Sequence, residues 1–284
     1  MSTHTHWQAP AKVNLALHVV GQKSDGYHQL DTLVTFAKIG DQIKIAPARD
    51  LTFVITGAEH GDLKMDADNL VCRAAHLLRD YVHDDSLGAK ITLEKNLPIA
   101  SGIGGGSADA AATLLGLMDY WQVNVGQHSL IEMALELGAD VPMCLNGIPA
   151  RVRGIGEEIE PVPLPAFPIV LANPRIGVST PRIFKALDNK QNPPLTDPAD
   201  TTNWIDYLAL QRNDLQAPAI SLTPAIADCL TALDQSTDCR LARMSGSGAT
   251  CFGLYDTKNN ADEAAAMLRK QHPDWWVVST STIV

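Results

Sequence analysis

Cysteine is sparse in this chain and placed for no cross-link. The five residues at 72, 144, 229, 239 and 251 are odd in number, widely spread and free of any C-x-x-C pair. That argues against a disulfide framework or a zinc site. They read as reduced packing residues, and a cytoplasmic protein is expected from that usage. Long apolar runs are missing too: none approaches the length of a membrane span, and the opening M-S-T-H-T-H-W-Q holds no apolar leader core. Basic charge is scarce, with 22 Lys plus Arg against 32 Asp plus Glu and a net charge of −10. Broad attraction to nucleic acid or to an anionic membrane is therefore not expected. The patterns G-x-x-x-x-G-K-[ST], H-R-D and D-F-G are all absent, which excludes a Walker-type loop and a protein-kinase core.

What is present begins with Pro98 to Ala112, P-I-A-S-G-I-G-G-G-S-A-D-A-A-A. Gly102, Gly104, Gly105 and Gly106 precede Ser107, and an alanine-rich segment of helical spacing follows. Glycine lets the backbone turn sharply and bring its N–H groups against a ligand. A helix starting at Ser107 would add unpaired N–H groups and the positive end of its dipole. The expectation is a phosphate cradle; the alternative is a glycine-rich turn before an ordinary buried helix. Position 107 is serine, so the spacing misses G-x-G-x-x-G and speaks against a dinucleotide fold.

The rest of the chain, 284 residues with 45% hydrophobic and 19% charged, suits one large or two ordinary globular domains. Ala9–Val20 alternates apolar and polar residues, which predicts a half-buried strand. Asp25-Gly26 marks a turn in the polar loop Gly21 to His28. Strands are further expected at 42–45, 51–55, 90–93, 150–153, 169–172, 240–244, 250–255 and 275–279. Helices are expected from an Asp68 cap to about Val82, from Ser107 to about Trp121, over Ser129–Leu137, after Thr223-Pro224, and around Asp262–Arg269. A proline-rich stretch from Glu160 to Pro168 is the expected crossing between two domains, 1–160 and 161–284. Strands and helices without strict alternation indicate an α+β fold.

Phosphoryl transfer needs a phosphate cradle, positive charge on the moving group, and a residue that orients or deprotonates the acceptor hydroxyl. Ser107 is placed to meet Mg²⁺ or a phosphate oxygen, or to cap the helix. Lys12 shares a strand face with Asn14 and is either a solvated edge residue or a cation with a partner. Asp140, within L-G-A-D-V-P, either caps the backbone or is aimed at a site. The run Met244 to Thr250, M-S-G-S-G-A-T, is either a hairpin connection or a second loop of backbone donors.

Three of these elements occur in a telling order: Pro10 to Leu15 (P-A-K-V-N-L), Pro98 to Ala108, and Gly246 to Gly248 (G-S-G). This arrangement resembles the three motifs of the GHMP kinase family. Ile103 stands for the family's usual leucine and Ala108 for a frequent serine. The resemblance implies a two-domain fold, an N-terminal α+β domain and a C-terminal ferredoxin-like domain with the active site in the cleft between. Gly21 to His28, Leu137 to Pro142 and Val178 to Phe184 narrow it to a member that acts on a cytidine diphosphate-linked methylerythritol. Such a member phosphorylates the 2-hydroxyl with ATP, in the non-mevalonate route to isoprenoid precursors. The motif match carries a catalytic pair onto Lys12 and Asp140. ATP falls on Pro98, Ile99, Ala100, Ser101, Gly102, Ile103, Gly104, Gly105, Gly106, Ser107 and Ala108, with Mg²⁺ as its companion and no metal site built from side chains. The substrate falls on Asn14, Tyr27, His28, Lys95, Thr180 and Phe184. Tyr27 and Phe184 would sandwich the cytosine ring, and Lys95 would answer the diphosphate. Two alternatives stand beside this: a GHMP kinase with a mevalonate-type acceptor, and a non-catalytic ATP-binding module.

Overall fold

The computed structural model describes residues 5–24, 26–199 and 203–284. The chain opens with two long strands, β1 (Thr5–Gln22) and β2 (His28–Ala46), which pair. There follow β3 (Leu51–Thr56), α1 (Leu70–Val82), β4 (Ala89–Glu94), α2 (Gly105–Trp121), α3 (Gln127–Leu137) and α4 (Val141–Asn146). Next come β5 (Ala150–Gly154), β6 (Glu158–Pro161), β7 (Pro168–Asn173), α5 (Thr180–Lys185), α6 (Trp204–Ala209), α7 (Gln216–Leu222) and α8 (Ala225–Asp234). The chain closes with β8 (Cys239–Met244), β9 (Cys251–Tyr255), α9 (Lys258–Gln271) and β10 (Trp276–Ser281).

Two compact units interleave in sequence. The first holds residues 5–11, Ile39–Ile99 and Gly104–Gly147; the second holds Lys12–Lys38, Ala100–Ile103 and Ile148–Val284. In the first, the end of β2 runs antiparallel to β4, Gln42 opposite Glu94, and β3 lies parallel to β4, Leu51 opposite Ala89. Helix α2 packs on α1 and α4. Its small residues Ala108, Ala110, Ala111 and Ala112 are all buried. Asn69, not Asp68, caps α1, its side chain accepting from the Val71 N–H at 2.9 Å.

In the second unit the start of β2 runs antiparallel to β5, and β5 to β6. The proline-rich stretch after Glu160 thus lies wholly inside this unit, where a short strand tolerates Pro161 at its end. A separate antiparallel sheet has the order β10-β7-β9-β8. With α8 before β8 and α9 between β9 and β10, this is the β-α-β-β-α-β pattern of a ferredoxin-like domain. Leu17, Val19, Val170, Ile226, Met244, Tyr255 and Leu268 lie in its core. Thr223 ends α7 rather than capping α8, which is preceded by Pro224.

The alternation of β1 correctly predicts a strand, but not a half-buried one. From Ala11 to Val19 both faces are buried, so Lys12, Asn14 and His18 lie inside with the aliphatic residues. Buried polar groups must be answered by partners, and His18 illustrates this: Nδ1 lies 3.1 Å from the Pro193 carbonyl, and Nε2 accepts from the Arg212 N–H at 3.2 Å.

Candidate active site

The glycine loop adopts the backbone its composition predicts. Ala100, Gly102 and Gly104 take positive φ values of 48°, 74° and 65°, alternate residues in the left-handed region. Such alternation gathers successive N–H groups into an anion-binding concavity. A non-glycine residue at positive φ is costly, and Ala100 holds it at a site where strain commonly serves function. Helix α2 starts at Gly105 with Gly104 as N-cap, two residues earlier than expected. Ser107 is therefore inside the first turn and does not cap the helix, which leaves the capping alternative unsupported. Pro98, Ser101, Ile103 and Ala108 are buried, while Ile99, Ala100 and Gly106 are exposed.

Within the second unit three distant segments are laced together. The Lys12 N–H donates to the Ile103 carbonyl at 2.9 Å, and the Asn14 N–H donates to Ser245 Oγ at 3.1 Å. Ser245 Oγ donates in turn to the Gly102 carbonyl at 3.1 Å, and the Thr250 N–H to the Ser101 carbonyl at 3.0 Å. A Cβ at Gly102 would stand 2.5 Å from the Ser245 carbonyl oxygen, and one at Gly246 would stand 2.6 Å from the Gly102 oxygen. Only glycine permits this approach. Asn213 holds the 245–248 turn from below, its Nδ2 donating to the Met244 and Gly246 carbonyls, each at 2.8 Å.

Lys12 is 5% exposed, which rules out the solvated edge lysine. Asp140 is half-buried at the N-cap position of α4 yet makes no capping hydrogen bond to its helix.

The expected substrate residues lie in two places. Asn14 donates through Nδ2 to Thr32 Oγ1 at 2.8 Å, while its buried Oδ1 finds no hydrogen-bond partner among the described residues. An orphaned buried acceptor calls for an explanation. Thr180 Oγ1 lies 2.7 Å from Ser247 Oγ, on the third glycine element. The His28 ring stacks on Phe184, centroids 4.6 Å apart at 24°. Its Nε2 is buried without a partner among the described residues. Burial, then the charge of Lys190, lowers the His28 pKa, favouring the neutral ring. Tyr27 is 62% exposed, and the ring seen stacked on Phe184 is that of His28. Asp25 lies outside the described residues; Gly26 beside it has φ 93° and donates to the Lys23 carbonyl at 3.0 Å, as a turn requires.

Lys95 belongs to the first unit and differs from expectation. Its ammonium is buried and ion-paired to Asp41 Oδ2, and to Asp109 Oδ2 at 3.0 Å, rather than presented to a diphosphate. Asp41 Oδ1 also accepts from the Asn96 and Leu97 N–H groups at 2.6 and 2.9 Å. Burial opposes the Lys95 charge, yet Asp109 and Asp41 together hold its pKa above the ordinary value. Burial pushes the Asp109 carboxyl up to about 8, with Lys95 opposing and Asp41 adding. Sequence reasoning missed both aspartates and also Arg243. The latter's guanidinium donates to the carbonyls of Leu15, Leu208 and Gln211 at 2.7, 2.8 and 2.7 Å. No carboxylate among the described residues pairs with it, and burial lowers its pKa to about 10.

Comparison with known proteins accords with this geometry. The model of the GHMP kinases N terminal domain matches residues 69–147, and that of the GHMP kinases C terminal domain matches residues 199–274. The chain belongs to the GHMP kinases, small-molecule phosphotransferases of two-domain α+β fold. Within that family it is 51% identical to the 4-diphosphocytidyl-2-C-methyl-D-erythritol kinase of Rhizobium etli, over 97% of this chain and 94% of that one. It is 50% identical to the enzyme of the same name from Cereibacter sphaeroides, over 95% and 96%. A crystal structure of 4-(cytidine 5'-diphospho)-2C-methyl-D-erythritol kinase superposes with TM-score 0.82 at 33% identity, covering 99% of this chain and all of the other. Homoserine kinase from Cytophaga hutchinsonii, at 18% identity and TM-score 0.71, shares the fold.

Proposed function

We propose that this chain transfers the γ-phosphoryl group of ATP to the 2-hydroxyl of 4-diphosphocytidyl-2-C-methyl-D-erythritol, giving the 2-phosphate and ADP, in the cytoplasmic synthesis of isoprenoid precursors. The observation that carries the reading is the lacing of Pro10–Leu15, the glycine loop and the 245–248 turn by the bonds at Lys12, Asn14 and Ser245. The names of relatives at about half identity over nearly the full chain support the acceptor.

In this reading Pro98 to Ala108 holds ATP, its main-chain N–H groups and the start of α2 meeting the phosphates. Among the described residues no group of three His, Cys, Asp or Glu side chains is arranged around a metal. Mg²⁺ would be carried chiefly by substrate phosphates and water, with the Ser107 hydroxyl meeting the ion or a phosphate oxygen. The ion would neutralise charge on the transferring group. Asp140 acts as general base toward the acceptor hydroxyl, and Lys12 supplies positive charge that stabilises the charge developing in the transfer. The orphaned Asn14 Oδ1 and His28 Nε2 take hydrogen bonds from or to the acceptor and its base, with Thr180 beside them. Phe184 and Tyr27 supply the aromatic faces for cytosine. The loop and the catalytic pair fall within residues 1–160, while residues 161–284 bring Thr180, Phe184 and the 245–248 turn. No nucleic-acid or membrane partner enters the reading; among the described residues no helix is long and apolar enough to cross a membrane.

A coupled assay of ADP release over a small panel of acceptors tests the reading. Turnover on the cytidine-bearing alcohol is expected; turnover only on mevalonate would reject it, and ATP binding without turnover on any acceptor would make the chain a sensor. Asp140→Asn is expected to lower kcat by about a hundredfold or more while ATP still binds, the scale of a lost general base.

A further inference from the structure

We propose that Asp109 is a positioning residue for the ATP loop, acting through Lys95 to hold the first turn of α2 in place. The inference rests on the reading of that loop as the ATP site. The triad of Asp41, Lys95 and Asp109 joins the chain just before the loop to the helix just after it. Asp41 accepts from the N–H groups of Asn96 and Leu97 on the approach, and Asp109 sits in the second turn of α2. Between them the Lys95 ammonium lies directly beneath the first helical residue: a Cβ built on Gly105 would be 3.4 Å from Nζ and 3.5 Å from Asp41 Oδ2. A cation under a helix N-terminus is unfavourable for the helix itself. Its presence there makes sense for an anion that arrives from the other side.

Asp109 reaches Lys95 through Oδ2 at 3.0 Å, while Oδ1 is buried with no partner among the described residues. One acceptor oxygen thus carries the link between the ammonium and the second turn of α2, and its loss would free Lys95 from the helix while leaving the Asp41 pair in place. The role is one of shape and hydrogen bonding.

Three variants of the full chain test this at temperatures well below melting. Affinity is measured by calorimetric titration with a non-hydrolysable ATP analogue, and acceptor KM and kcat by the coupled assay. Asp109→Ala is expected to weaken ATP analogue binding by about tenfold, which is 1.4 kcal/mol, with acceptor KM unmoved. Asp109→Asn, which keeps the carbonyl oxygen without a charge, is expected to bind within about twofold of the parent. Lys95→Met, which keeps the packed stem, is expected to lose ATP analogue affinity as the Ala variant does, and serves if that variant does not fold. The proposal is overturned if both Asp109→Ala and Lys95→Met bind ATP analogue normally, if Asp109→Asn behaves as Asp109→Ala, or if acceptor KM rises instead of ATP affinity falling. Because the ATP arm needs no acceptor, a parent chain that binds ATP but phosphorylates nothing would refute the function proposed above while leaving this inference decided on its own.

Discussion

Two buried cations, one in each compact unit, are handled in opposite ways. Lys95 lies between two carboxyl groups, whereas Arg243 has no carboxylate partner among the described residues and is satisfied by three backbone carbonyls. The side chains explain the choice. An ammonium is a compact, strongly hydrated point charge that needs full counter-charge when buried; a guanidinium is more weakly hydrated and spreads its charge over five donors in a fixed fork. The outcome differs as well. Arg243 ties β1, the end of α6 and the turn after it into one junction beneath the 245–248 turn, while the Lys95 triad clamps the two ends of the glycine loop. One cation braces the frame, and the other sets the position of a few residues near the phosphates.

The largest effect that sharpens this contrast is expected at Arg243. Arg243→Met leaves three buried carbonyls unanswered and is expected to cost about 3 kcal/mol or more in urea unfolding. Arg243→Lys recovers only part of that, because an ammonium cannot span the three acceptors. Lys95→Met is expected to cost less, about 2 kcal/mol at neutral pH, since Asp109 can remain neutral and only Asp41 loses its counter-ion. That deficit should shrink as pH falls and Asp41 takes up a proton. If Lys95→Met proved the more damaging, the assignment of frame and clamp would be reversed.

The smallest effect concerns proton linkage. The Asp109 carboxyl is raised to about 8, chiefly by burial, so the folded chain binds this proton more tightly than the unfolded chain does. The resulting stabilisation is whole below the ordinary carboxylate range and is lost as pH rises through about 8. The urea midpoint of the parent is thus expected to fall between about pH 4 and about pH 8 and to level off above, and Asp109→Asn to flatten that fall. Arg243, charged throughout that range, should contribute no comparable slope.

Two of the missed residues could have been flagged from sequence. Asp109 interrupts an alanine run, S-A-D-A-A-A, and Arg243 interrupts L-A-R-M ahead of a glycine element. A lone charge in an otherwise apolar run needs a partner, but nothing in the linear order names it: Asp41 lies 54 residues before Lys95, and Leu15 lies 228 before Arg243. The glycine loop was fully legible, because conformation there follows from the residues themselves. The start of α2 was not, since Gly105 and Gly106 have poor helix propensity and are admitted by their place in the first turn. Only Gln42–Ile45 of β2 was expected, because Lys38, Gly40 and Asp41 break the alternation that Asp41's remote partners restore. Helix α4 went unseen because Pro142 reads as a breaker, although proline is welcome in a first turn.

The interleaving of the two units bears on how this kinase can be divided. Residues 12–38 pack with the later part of the chain, so a fragment beginning at 161 would lack Leu17 and Val19 from its core and the Leu15 oxygen that Arg243 grips. No single cut yields two self-sufficient pieces. The opening strands must wait during synthesis for partners made more than two hundred residues later, and a split gene would depend on its fragments folding as one.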